Sequence, residues 1–489
     1  MAVLGAQIVI TLVMVSVIQK VAPHFSFAQW LLCSNRLVRY LYPTNEELRA
    51  AAGVPKGRVK GQKSGKHGEN GKVSDDTFNI PRNIDIQLET AKVSPQDVIH
   101  LRYYTEYQWL VDFALYSGIV YFFTEVYAAL FSLQGEINLS MLWCLLFQGF
   151  ALRTLLSITM QYFRGTESIG ERSTVIVSAF AYLVISMMVL IVDESKLDSG
   201  LDTAYKSFNS SASIFLENQG LQSDGPASQI ILKFLIALWC ALIGCLFIFP
   251  GLRVAQMHCD ALKYYEDRHI YQMLLNLSFV SPCFLLLFWI KPISSDYLTK
   301  RIFSGMTTPL ISVELFESIR LAAVTLVILH RIFIMPLFLQ AYLNLAYRKV
   351  EEQKKEVGKM SNVEFQRKIA AVFYYLVVVA LQYIIPLLMC LYFAFMYKSL
   401  GDYSWLGAHS LSDKECPVAA TPPPVPSEES DSMLQSAQQF SLTINSLKEV
   451  LTAEVYRGLF GFATWWSIFA LFASSCLGLI YQTYFVRVI

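Results

Sequence analysis

Eight ionisable side chains fall inside or at the edges of long apolar runs: Asp112, Glu125, Arg153, Lys233, Glu317, Arg320, His330 and Arg331. A charge near the centre of a bilayer costs at least about 2.5–3.5 kcal/mol on insertion scales, so such residues pair across helices or line a polar path. Two chemistries are open to them: fixed ion pairs that hold a helical bundle together, or a relay for ions or protons. Their depths suggest partners. Asp112 lies about 8 Å and Arg153 about 13 Å from the same end of two consecutive spans at 1.5 Å per residue. Those spans are joined by only residues 133–138, which makes them antiparallel neighbours and predicts an Asp112–Arg153 pair. Glu125 and Lys233 both fall in the outer part of the bundle and are expected to pair, with Arg320 joining them or binding the adjacent Glu317. His330 and Arg331 read as lying near the inner interface, where a long basic side chain reaches the headgroups. The repeated arginines of a voltage sensor are absent.

Other chemistry lacks its residues. Of nine cysteines only Cys416 falls in a loop predicted to be lumenal, which excludes a lumenal disulfide framework within one chain, and no CxxC pair exists. His258, Cys259, Asp260 and His269 share one predicted cytosolic loop, but their spacing matches no zinc pattern. HExxH, GxGxxG and a Cys–His catalytic signature are absent, and Gly65-Lys66 is followed by His67, which breaks the phosphate-loop pattern. The expectation is a protein that is not an enzyme and carries no cofactor or metal.

The elements that hold these charges are transmembrane helices. The chain has 489 residues, 54% hydrophobic and only 16% charged, whereas a soluble domain sits near 25% charged. A bilayer core of about 30 Å takes roughly 20 apolar residues of helix. Spans are predicted near 2–19, 107–132, 139–162, 173–192, 228–250, 270–290, 313–337, 369–397 and 458–484. The fold class is therefore all-α, a polytopic bundle of about nine spans, or eight if the first segment is a signal peptide. That segment lacks a basic n-region and ends at Lys20, so residues 1–22 read as a signal-anchor span. Residues 23–106 form a basic cytosolic segment, 107–397 seven helices of the bundle, 398–457 a Pro- and acid-rich lumenal loop, and 458–489 the last span and tail.

Lysine and arginine set the orientation. Segments 19–106, 163–172, 251–269, 338–368 and 485–489 carry 26 of them, against 8 in 193–227, 292–312 and 398–457. The positive-inside rule then places the first group, with the C-terminus, in the cytosol. Asn209-Ser210-Ser211 lies mid-loop on the opposite side and is the expected N-glycosylation site. Residues 53–80 read as disordered, and 338–368 as a charged cytosolic helix with Glu351–Lys355 pairing and a kink at Pro336. Pro250-Gly251 is expected to end the fifth span, and 440–456 to form an amphipathic interfacial helix. Small residues at Ala237, Ala241 and Cys245, and at Ala470, Ser474 and Gly478, permit close helix contact within the bundle or between protomers.

Several stretches resemble the transmembrane protein 161 family: Pro43-Thr-Asn-Glu-Glu-Leu-Arg49, Glu106-Tyr-Gln-Trp-Leu-Val-Asp-Phe113, Gly170-Glu-Arg-Ser173 and Phe249-Pro-Gly-Leu-Arg-Val-Ala-Gln-Met-His258. Trp289-Ile-Lys-Pro-Ile293, Leu339-Gln-Ala-Tyr-Leu-Asn-Leu-Ala346, Leu381-Gln-Tyr383 and Thr464-Trp-Trp466 continue the series in order, and the long loops resemble those of an invertebrate member. The resemblance implies a role in calcium and potassium handling in excitable cells, in cardiac rhythm, and in endoplasmic reticulum calcium balance and stress responses. It implies no reaction and no functional residues. The expected function is non-enzymatic modulation of calcium or potassium homeostasis through a partner ion channel or calcium pump, in the endoplasmic reticulum or plasma membrane. The alternative is an ion channel or secondary transporter. Membrane lipid is an expected partner, nucleic acid is not, and a homo-oligomer is left open.

Overall fold

The computed structural model describes residues 6–22, 24–33, 37–53, 77–130, 138–164, 169–218, 228–302, 308–405 and 450–486. Eight of its helices are long and apolar enough to cross a membrane. In chain order the elements are α1 (Ala6–Val21), α2 (Phe27–Cys33), β1 (Val38–Tyr40), α3 (Asn45–Ala52), β2 (Asn79–Pro81), β3 (Thr90–Lys92) and α4 (Pro95–Ile99). Then come α5 (Tyr104–Leu130), α6 (Ser140–Arg164), α7 (Ile169–Ile191), α8 (Leu201–Asn218), α9 (Gln229–Tyr264), α10 (His269–Leu287) and α11 (Ser295–Thr299). The remainder is α12 (Val313–Leu343), α13 (Leu345–Lys354), β4 (Lys359–Ser361), α14 (Asn362–Tyr374), α15 (Leu376–Leu400) and α16 (Ala453–Tyr481). The eight crossings are α5, α6, α7, α9, α10, α12, α15 and α16. The bundle is helical, as expected.

The ninth expected span, α1, has 16 residues, about 24 Å of helix. It lies along α5. At one end Gln7 Oε1 accepts from Leu139 N at 2.8 Å, and just beyond the other Ser26 Oγ donates to Asp112 at 2.7 Å. It is shorter than the eight crossings, yet its ends reach both ends of the α5–α6 hairpin.

At the centre stands α15. Its most apolar stretch is buried throughout, ringed by α5, α6, α9, α12 and α16. With no hydrophobic drive between helices in lipid, close packing and interhelical hydrogen bonds hold such contacts. Ser117 and Tyr392 bond at 2.7 Å, Gln148 Nε2 donates to the Met389 carbonyl at 2.8 Å, and Trp466 Nε1 donates to the Cys240 carbonyl at 2.9 Å. The small residues of α16 serve the same end: a Cβ on Gly251 would meet Ser474 at 2.4–2.5 Å, and one on Gly478 would meet Ala255 at 2.8 Å. That stripe is consumed inside the bundle. Because α16 supports the backbone there, α9 runs on through Pro250 to Tyr264, and the expected end of the span at Pro250-Gly251 is corrected.

One end of the bundle carries two antiparallel ribbons, β1–β3 and β2–β4, which the helical reading did not anticipate. Thr44 caps α3, with Glu47 returning to the Thr44 backbone, and Gly53 at φ 66° closes it. Gln340 of α12 brackets β1, accepting from Val38 N at 2.9 Å and donating to Val38 O at 3.2 Å. The charged helix α13 docks on the N-terminal segment through Lys354–Asp85, and Glu356, just past its end, pairs with Arg82, both at 2.5 Å. No Glu351–Lys355 pair is made among the described residues; Arg348 instead binds Glu352 at 3.3 Å and also Asp260. The helical break falls at Asn344. Most of the stretch expected to be disordered, 54–76, lies outside the described residues, as do 406–449 of the long loop and 440–449 of the expected interfacial helix; 453–456 belong to α16.

Candidate functional site: two buried guanidiniums and an acid-rimmed groove

The opposite end, where α8 lies, gathers the densest charge in the bundle. Gly200, at φ 66°, brings the α7–α8 turn onto Gly458 of α16, and a Cβ on Gly458 would come 2.3 Å from the Gly200 carbonyl. This close approach sets Asp198 over the bundle. Arg320, one-hundredth exposed, donates from Nη2 to Asp198 Oδ2 at 2.6 Å and lies 3.1 Å from Glu317 Oε2 through Nη1. Its guanidinium sits over the rings of Trp289 and Phe316, 4.8 and 5.1 Å from their centroids. Tyr397 of α15 donates to Glu317 at 3.0 Å, and Lys291 approaches Asp198 at 3.3 Å. Burial pushes the Asp198 carboxyl up, but Arg320 and then Lys291 pull it further down, so it titrates below its ordinary range.

Glu125, close to the end of α5, binds Lys398 of α15 and accepts from Ser399 at 2.7 Å. Lys233 enters α9 only one turn from its start, so its amine turns out to Asp202 of α8 at 2.8 Å. The expected Glu125–Lys233 pair is therefore replaced by two separate pairs. Arg320 takes the second of its expected partners, Glu317. Asp198, Lys291 and Lys398 were not among the expected site residues because each lies in a loop or at a span edge, where a charge costs little.

The Asp112–Arg153 pair does not form. The α5–α6 seam is aromatic, with Trp109–Phe150 centroids at 4.7 Å and Phe113–Trp143 at 5.6 Å. Asp112 turns away from that seam and caps α2, accepting from Ala28 N at 2.9 Å as well as from Ser26. Arg153 is exposed and has no ion-pair partner among the described residues. Arg331 does not reach an interface: 2% exposed, it is as deeply buried as Arg320. The reason is that α12 continues to Leu343, about 18 Å further along the axis, and its end is covered by the β1 region. His330 beside it is half-buried. His258, expected in a loop, is buried within α9, stacked 4.7 Å from Phe279. Asn209 lies mid-helix in α8, half-buried.

Between α5 and α12, with α15 as its floor, runs a groove of about 2250 Å³. Its middle is apolar, lined by side chains such as Phe122, Leu329, Leu388 and Phe395. Its lining includes eight acidic and four basic side chains, clustered toward the α8 end, with Glu125–Lys398 on one wall and Glu317 at the rim.

A family described as predicted transmembrane protein 161AB matches residues 2–486. The chain belongs to this family. No solved structure matches it. Membership establishes an integral, multi-pass membrane protein and brings no reaction with it.

Proposed function

We propose that this member of the transmembrane protein 161AB family is a non-enzymatic modulator of calcium or potassium homeostasis that binds a partner ion channel or calcium pump within the membrane. The resemblance supplies the physiological setting. The observation that carries the mode of action is the groove between α5 and α12: apolar at bilayer depth and acidic at one rim. A transmembrane helix of a partner with basic residues at its matching end fits that pattern. Glu317–Arg320–Asp198, Glu125–Lys398 and Lys233–Asp202 are closed ion pairs, which suits a rigid docking body. In this reading the α8 face is lumenal or extracellular, Asn209 carries a glycan, and the C-terminus is cytosolic, in the endoplasmic reticulum or plasma membrane.

The acidic rim favours one second reading, that the groove itself admits cations. Flux of calcium or potassium into liposomes containing only the purified protein separates the two. The modulator reading expects no flux from folded protein, and expects Leu329→Trp, which fills the groove from a lipid-facing wall, to abolish the effect on a partner's current in cells. Flux from the protein alone, blocked by Leu329→Trp, overturns it in favour of the channel.

A further inference from the structure

Arg331 is buried to 2% exposure on α12, and no carboxylate pairs with it among the described residues. An arginine cannot shed its charge, and an isolated buried charge carries a desolvation penalty of several kcal/mol after relaxation. What surrounds it is polar and contributed by three other helices. Tyr383 of α15 uses its hydroxyl proton on the Arg331 carbonyl at 2.8 Å, and its oxygen faces the Arg331 guanidinium and Ser278 of α10. His258 of α9 feels the same guanidinium. Three of these groups have a buried atom without a hydrogen-bond partner: Arg331 Nε, Ser278 Oγ and His258 Nδ1. Buried polar atoms are ordinarily satisfied, so three orphans around one uncompensated cation call for an explanation.

We infer that Arg331, Ser278, His258 and Tyr383 form an intramembrane binding site for a small inorganic anion of the halide class. The anion supplies the missing negative charge, and the guanidinium, the Ser278 hydroxyl and the His258 imidazole N–H supply donors to it, while Tyr383, whose proton is already given to the Arg331 carbonyl, borders the site. The rings of Phe279 and Phe338 lie against His258, stacked and tilted with centroids at 4.7 and 6.2 Å, so the surroundings beyond these polar groups are aromatic. The site does not depend on how the protein acts on calcium or potassium, because Arg331 lies about 21 Å along α12 from Glu317 at the acidic rim.

The test is thermal unfolding of the purified full chain in detergent, with chloride titrated against gluconate at constant ionic strength. A specifically bound anion raises the midpoint in a saturable way. Wild type is expected to show that rise and Arg331→Met to show none. Ser278→Ala and Arg331→Lys are expected to shift the half-saturating chloride upward by about tenfold, the loss of one charge-assisted bond or of the planar fork. Phosphate in place of chloride is expected to have no saturable effect. Absence of a chloride-dependent rise in wild type, or an equal rise in Arg331→Met, overturns the site; a phosphate response without a chloride response overturns the halide assignment. Should Arg331→Met fail to fold, Ser278→Ala and Arg331→Lys decide alone, since an unchanged half-saturation in both rejects the site.

Discussion

Arg320 and Arg331 project from the same helix about 16 Å apart along its axis, and both are almost wholly removed from solvent. Arg320 meets two carboxylates, a tyrosine and two aromatic faces. Arg331 meets a tyrosine that also faces a serine, and its charge reaches a histidine, with no carboxylate among the described residues. The same side chain at similar burial is therefore anchored near the start of α12 and left uncompensated by the chain about three turns further on. At the first, the surrounding loops exist to neutralise it: Asp198 comes from the α7–α8 turn and Trp289 from the α10–α11 turn. At the second, the neighbours are helix interiors that offer donors and rings but no opposite charge.

Substitutions test that contrast, beginning with the two arginines themselves. Arg320→Met leaves Asp198 and Glu317 without their cation and is expected to cost about 3–5 kcal/mol, seen as a large fall in melting temperature in detergent. Arg331→Met removes a cation without stranding an acid, so in chloride-free buffer it is expected to cost under about 1 kcal/mol; a cost equal to that at Arg320 would erase the distinction. Lys398→Met strands the mostly buried Glu125 and is expected to fall between them, at about 1.5–3 kcal/mol. Asp112→Ala removes the cap of α2 for about 1 kcal/mol, and Arg153→Ala stays within about 0.5 kcal/mol. A double-mutant cycle on those two is expected to show no coupling beyond about 0.5 kcal/mol.

Acid probes Arg320 rather than Arg331, since no carboxylate pairs with Arg331 among the described residues. Because Asp198 is held below its ordinary value of 3.8, its contribution is present above that pH and is lost as pH falls through the lower folded value. The melting temperature is expected to drop more steeply below about pH 4 in wild type than in Asp198→Asn, which has no carboxyl there to protonate.

The helical class and the crossings α5 to α16 could be read from apolar run length, because hydrocarbon thickness imposes it on each segment separately. The partners of the charges could not. A similar depth was not enough to pair Asp112 with Arg153: one residue turns a helix by about 100°, and the aromatic seam of Trp109, Phe113 and Phe150 claims the face between them. Glu317–Arg320 was legible because both lie on one helix three residues apart, where spacing fixes contact. Asp198 and Lys398 were not, since their roles depend on loops closing over helix ends. Arg331 was misread because the span was ended at 337, whereas α12 continues under a folded cap at that face.

The central position of α15 constrains how the molecule is made. It emerges after residue 375, when most helices that will surround it have already left the ribosome, and its last wall, α16, begins at Ala453. Until synthesis is nearly complete, the most enclosed helix has an open flank. Termination between 400 and 453 therefore yields a chain whose core faces lipid, and quality control in the membrane has a clear target in every such fragment.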